Sequence, residues 1–96
     1  MRTKIIHNSM ASENLKIKRM IREKGNESYG IFWVLIEMLA QEKNHKLKAD
    51  YRDIALNLKE STNEVKDIIE NYDLFTVLDG YFTSENPELF CFKGGK

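Results

Sequence analysis

Residues 61–82 read STNEVKDIIENYDLFTVLDGYF, and two periodicities meet inside them. Val65, Ile68, Ile69 and Tyr72 recur at the three- and four-residue spacing of one helix face. Ser61 stands at an N-cap position with Glu64 three residues on, the S-x-x-E pattern in which two side chains satisfy free N–H groups of a first helical turn. Beyond Tyr72 the spacing drops to two, and Asp79-Gly80 supplies the positive φ angles of a two-residue type I′ turn. Such a turn sets the register, pairing Leu78 with Tyr81, Val77 with Phe82 and Thr76 with Thr83. Phe75, Val77 and Phe82 are then expected on the core face, with Leu78 and Tyr81 on the other face near the tip.

Working outward from this stretch, YRDIALNLK (51–59) is an amphipathic helix capped by Asp50, with Ile54, Ala55 and Leu58 on its apolar face. The connection KES (59–61) is short enough to make the two helices a helix-turn-helix. HKLKAD (45–50) is too short for a helix and suits an extended strand. NESYGIFWVLIEMLAQEKN (26–44) is apolar around most of its circumference and reads as a central buried helix. Gly30 inside it costs roughly 1 kcal/mol unless a close neighbour needs the missing Cβ. ENLKIKRMIREKG (13–25) is a further helix with Ser12 as N-cap and Gly25 as its stop. Ile17, Met20, Ile21 and Lys24 share one of its faces, and Lys18, Arg19 and Arg22 lie largely on the other. In ENPELFCFKGGK (85–96), Pro87 is a breaker and the Gly-Gly-Lys end reads as a linker.

This order predicts a mainly α (α+β) fold, a winged helix-turn-helix with a C-terminal β-hairpin wing. One domain is expected over residues 1–96: an N-terminal arm at 1–12, a core at 13–85 and a tail or linker at 86–96. With 96 residues, 42% hydrophobic and 31% charged, the chain has material for one core and no more. Cys91 is the only cysteine, which rules out an internal disulfide and a thiolate metal cluster. No apolar run reaches the length of a membrane span or a signal-peptide core, so a cytoplasmic location away from membranes is expected.

Catalytic chemistry finds no foothold. His7 and His45 belong to no H-E-x-x-H pattern, and the five glycines form no phosphate-cradling G-x-G-x-x-G. Asp50 and Asp53 are explained as cap and first-turn residues. No catalytic residue, metal ligand or cofactor is assigned, and the protein is not expected to be an enzyme.

Formal net charge is zero, but residues 1–24 carry seven Lys or Arg against two Glu, so the chain is basic at its start and acidic beyond. For DNA, the candidate set is Lys48, Arg52 and Lys59 on phosphates around the helix-turn-helix, with Thr62, Asn63 and Lys66 reaching the groove from the helix at 61–72. Against it stand Glu64, Asp67 and Glu70 on the same helix, because a carboxylate brought against phosphate is repelled. The plain alternative is an amphipathic helix with a solvated face of mixed charge. Lys16, Lys18, Arg19 and Arg22 form a secondary basic patch open to nucleic acid, an acidic partner or a neighbouring copy, or simply to solvent. Leu78 and Tyr81 are candidates for a protein interface, since VLDGYF contains no Lys or Arg; packing against Leu89, Phe90 and Phe92 is the alternative.

The segments YGIFWVLIEMLAQEKNHKL, YRDIALNL and IIENYDLFTVLDGYFTS resemble, in order and spacing, the N-terminal domain of phage replisome-organiser and DnaD-like replication proteins. The resemblance spans roughly residues 5 to 85. It implies a winged-helix module of phage, prophage or plasmid origin, acting in DNA replication initiation, with double-stranded DNA, a second copy, or a replisome or helicase-loading protein as partner. The acidic helix and uncharged wing tip depart from a DNA-reading pattern. Two functions are therefore carried forward: a DNA-binding replication-initiation domain, and a protein-interaction or oligomerisation module without direct DNA readout.

Overall fold

The computed structural model describes residues 3–7, 11–42, 44–84 and 89–94, with side chains placed for 11–42, 44–84 and 89–90. In chain order the elements are β1 (Thr3–His7), a 3₁₀ turn (Ala11–Glu13), α1 (Leu15–Lys24), α2 (Glu27–Gln41), β2 (Leu47–Lys48), α3 (Tyr51–Leu58), α4 (Thr62–Glu70), β3 (Thr76–Leu78), β4 (Tyr81–Thr83) and β5 (Phe90–Gly94).

The run α2–β2–α3–α4–β3–β4 has the winged-helix order, and β2 closes against β4 to give a three-stranded antiparallel sheet in the order β2-β4-β3. The hairpin register is the one its turn demands, with Leu78 opposite Tyr81, Val77 opposite Phe82 and Thr76 opposite Thr83. Asp79 and Gly80 take φ of 55° and 79°, which meets the requirement of a type I′ turn for two positive φ angles. The fold is therefore mainly α with a small sheet, in the winged-helix arrangement.

The core is centred on α2, whose Phe32, Leu35, Ile36 and Leu39 are fully buried. Ile17 and Met20 of α1, Ile54 and Ala55 of α3, and Val65, Ile68 and Ile69 of α4 close around it. Aromatic rings extend this core into the sheet, Phe32 meeting Phe75 and Phe75 meeting Phe82, each pair edge-to-face at 5.7 Å. That geometry suits ring quadrupoles better than face-to-face stacking.

Two caps form where their spacing places them: Asp50 accepts from the Asp53 N–H at 3.2 Å, and Ser61 from the Glu64 N–H at 3.1 Å. Three details depart from the sequence expectations, and a fourth, at Gly30, answers a question the sequence left open. The N-cap of α1 is Asn14, which accepts from the Lys16 N–H, because Ser12 is drawn into the preceding 3₁₀ turn. The Glu64 carboxylate turns to Lys24 rather than back to its own cap. Val77 is 40% exposed, since it lies on the edge strand beside the hairpin tip, beyond the cover of the helices. At Gly30 no neighbour among the described residues meets an added Cβ, so nothing described there offsets its cost of roughly 1 kcal/mol.

The chain ends also hold structure that the hydrophobic pattern alone does not reveal. β1 and β5 pair antiparallel from Thr3 opposite Gly94 to His7 opposite Phe90. This pair lies against α2, and Phe90 meets Trp33 edge-to-face at 6.1 Å. Leu89 and Phe90 are buried there and are not available to cover Leu78 and Tyr81, which stay open. Pro87 as a breaker, and Gly95 and Lys96 of the Gly-Gly-Lys end, fall outside the described residues. No helix among the described residues is long and apolar enough to cross a membrane.

Candidate nucleic-acid interface

Helix α4 occupies the recognition position of the winged helix, packed inward through Val65, Ile68 and Ile69. Thr62, Asn63 and Lys66 stand exposed on its outer side. The three acids that counted against this helix each have a partner within the chain.

Lys24, at the end of α1, reaches across to α4 and bonds Glu64 at 3.2 Å and Asp67 more closely still. It can do so because it shares the inward face of α1 with Ile17 and Met20, and four-fifths of its side chain is shielded from solvent. The side-chain amide of Asn71 donates to the other Asp67 oxygen. The hydrogen bond from Lys24, then that from Asn71, holds the Asp67 carboxyl below its ordinary value of 3.8. The hydrogen bond to Asp67 in turn raises the Lys24 ammonium above its ordinary 10.5. On the opposite flank the Tyr51 hydroxyl of α3 donates to Glu70 at 2.8 Å. Burial, with the Glu70 bond second, pushes that phenol up to about 12.

The magnitude of these pairings decides whether the helix can approach DNA. A free carboxylate about 4 Å from a phosphate costs roughly 1 kcal/mol in bulk water and about 4 kcal/mol at the effective dielectric of a protein surface. A good bidentate base contact gives about 1–3 kcal/mol. One free acid at the contact therefore cancels one good base contact. With Lys24 drawn onto two of the acids, the outer side of α4 carries one residual negative charge at that cluster, beside Lys66. Lys24, Ser61, Asn63, Glu64, Lys66, Asp67 and Asn71 together line an open, polar hollow of about 350 Å³.

The phosphate candidates surround this unit. Arg52 lies in the first turn of α3, Lys59 at the turn into α4, and Lys48 on β2. All three are exposed, and among the described residues neither they nor Lys66 enters an ion pair. Lys59 holds a left-handed conformation, φ 58°, as the C-cap of α3. Glycine fits that conformation with least strain, so a lysine there costs about 1 kcal/mol relative to glycine.

The basic residues of α1 are differently employed. Lys16 bonds Asp73 at 3.1 Å, Lys18 bonds Glu13 at 3.1 Å, and Arg19 bonds Glu23 at 3.3 Å while its guanidinium lies over the Tyr72 ring. The Tyr72 hydroxyl donates to Glu23, and that bond is the main cause of a lowered Glu23 carboxyl. Three of these four cations thus tie α1 to the preceding 3₁₀ turn, to its own Glu23 and to the segment after α4, and only Arg22 lacks an ion pair among the described residues.

Sequence reasoning missed Lys24, although its place on the Ile17 and Met20 face was the available signal. Leu78 and Tyr81 are 69% and 49% exposed on the outer face of the wing. No curated protein and no solved structure matches the chain. The model of one family, described as Lin1244/Lin1753-like, N-terminal, matches residues 5–86, from β1 through the hairpin. The chain belongs to the Lin1244/Lin1753-like N-terminal family.

Proposed function

We propose that this chain is a DNA-binding winged-helix domain of a phage, prophage or plasmid protein that acts in the initiation of DNA replication. The observation that carries the reading is the binding of Glu64 and Asp67 by Lys24, which offsets one of their two charges beside the exposed Thr62, Asn63 and Lys66, while Glu70 keeps its charge but is tied to the Tyr51 hydroxyl on the opposite flank. Lys48, Arg52 and Lys59 supply phosphate contacts around it, and a lysine kept at the strained left-handed cap fits a charge needed at that spot. The replication context comes from the resemblance to replisome organisers and DnaD-like proteins, with the cytoplasm as the place of action.

Fluorescence anisotropy on a labelled duplex of about 30 base pairs tests this, because three neutralised phosphates give a log–log salt slope of about −3. Arg52→Glu with Lys59→Glu should lower affinity more than tenfold and reduce the slope by about 2. Unchanged affinity in the double variant ends the reading. A second reading, a module that self-associates or recruits a replisome or helicase-loading protein, is favoured by the exposure of Leu78 and Tyr81. It predicts a mass above monomer by light scattering and no duplex binding.

A further inference from the structure

The hairpin taken alone has an apolar tip, and the segment VLDGYF contains no basic residue. Strand pairing changes its chemistry. β2 runs along the other side of β4 and sets Lys48 directly opposite Tyr81, a cross-strand distance of about 5 Å between Cβ atoms. Lys46, two residues earlier and just outside β2, lines the same hollow as Tyr81 and Thr83. The Ala49 N–H donates to the Gly80 carbonyl at 2.8 Å, so the lysine-bearing segment is fastened alongside the tip. Thr83 donates to the His45 carbonyl at 2.6 Å, fixing the other end.

The outer face of the sheet therefore presents Tyr81 at its centre, Leu78 on one flank and the two lysines on the other. Lys46, Thr76, Leu78, Tyr81 and Thr83 line a hollow of about 270 Å³, with Asp79 and an edge of Phe82 completing it. Neither lysine has an ion-pair partner among the described residues, and Asp79 is the one acid lining the hollow.

We infer that this face is a second nucleic-acid site, one that takes single-stranded DNA by stacking an unpaired base on Tyr81 beside Leu78 while Lys46 and Lys48 hold the flanking phosphates. The inference rests on the reading of the chain as a replication-initiation protein, and it gives that protein a surface for the strand released when a duplex opens. An exposed aromatic between an apolar neighbour and two unpaired cations is the composition of a sequence-tolerant single-strand platform. A duplex offers it no free base face, since its bases are already stacked. A protein partner fits less well, because lysine is depleted from protein–protein interfaces.

The test is anisotropy of a labelled oligothymidine of about 12 nucleotides, with the duplex as a parallel probe. Tyr81→Ala should weaken the single strand about 5- to 100-fold while Tyr81→Phe retains it. Lys46→Gln, which leaves the duplex candidate Lys48 in place, should flatten the salt dependence of single-strand binding by about one counterion. Because Tyr81 is half exposed and outside the core, a far-UV spectrum should show every variant folded. Duplex affinity should be unmoved by Tyr81→Ala and single-strand affinity unmoved by Arg52→Glu with Lys59→Glu, so failure at one site is distinguishable from failure at the other. Equal single-strand binding by wild type and Tyr81→Ala, or none by either, would overturn the inference. So would a dimeric mass abolished by Leu78→Asp in a protein indifferent to oligothymidine, which would assign the face to a second copy.

Discussion

Helix α4 and the outer face of the wing misrepresent themselves in opposite ways when each is read along its own stretch of chain. The helix looks too acidic for DNA, yet Glu64 and Asp67 are bound by Lys24 from α1 and Glu70 by Tyr51 from α3. The wing tip contains no cation, yet β2 sets Lys48 opposite Tyr81 and Lys46 just before it lines the same face. In both regions the electrostatic character is set by residues on another element, from nineteen to forty-three positions away along the chain. A local charge count therefore fails for a small domain whose elements close around one core.

The two faces of the wing sheet offer the largest contrast. Phe82 is buried against Phe75, while Leu78, on the outer face, is 69% exposed. Phe82→Ala should cost about 3–5 kcal/mol and Leu78→Ala no more than about 0.5 kcal/mol, as read by urea denaturation. Comparable losses would mean that the outer face is covered and not free for a ligand.

Lys24 defines the helix side of the comparison. Lys24→Gln leaves Glu64 and Asp67 without their cation and should destabilise the fold by about 1 kcal/mol, a modest figure because solvent still screens all three groups. Lys59→Gly should act with the opposite sign, raising stability by about 1 kcal/mol through relief of the left-handed cap while weakening duplex binding. A stabilised variant with undiminished affinity would remove Lys59 from the interface.

Acid titration should separate the two regions with a smaller effect. Asp67 and Glu23 both have carboxyls lowered in the folded chain, from 3.8 and 4.5, so the stability they add is present above those ordinary values and is lost as pH falls below them through the folded values. The Lys24 ammonium is raised, so its contribution holds up to about pH 10.5 and declines only beyond it. Stability should be flat in between. In Lys24→Gln the acid limb should flatten, whereas in Lys48→Gln it should match wild type; equal acid limbs for all three would show that the α1–α4 bridge does not form.

Much of this architecture was legible because it is local. Asp79-Gly80 determined the hairpin register, Asp50 and Ser61 the starts of α3 and α4, and the spacing of Val65, Ile68 and Ile69 the buried face of the recognition helix. What stayed hidden is non-local. β1 pairs with β5 across more than eighty residues with no turn signal to announce it, and each strand alone is a five-residue stretch with only two or three apolar side chains. Asn14 displaced Ser12 as a cap because a 3₁₀ turn, with little sequence signature, intervenes. Lys24 sat visibly on an apolar helix face, but its acceptors on α4 lie forty and forty-three positions downstream and could be named only once the helices were packed.

The most direct test of the central claim is a three-way comparison of duplex affinity at low salt: wild type, Lys24→Gln, and Lys24→Gln combined with Glu64→Gln and Asp67→Asn. If Lys24 keeps the recognition helix compatible with DNA, the single variant should bind about tenfold more weakly and the triple variant should return to wild-type affinity or better. Equal binding by wild type and Lys24→Gln would mean that these acids never face the duplex, and that α4 does not meet DNA in the way its position in the fold suggests.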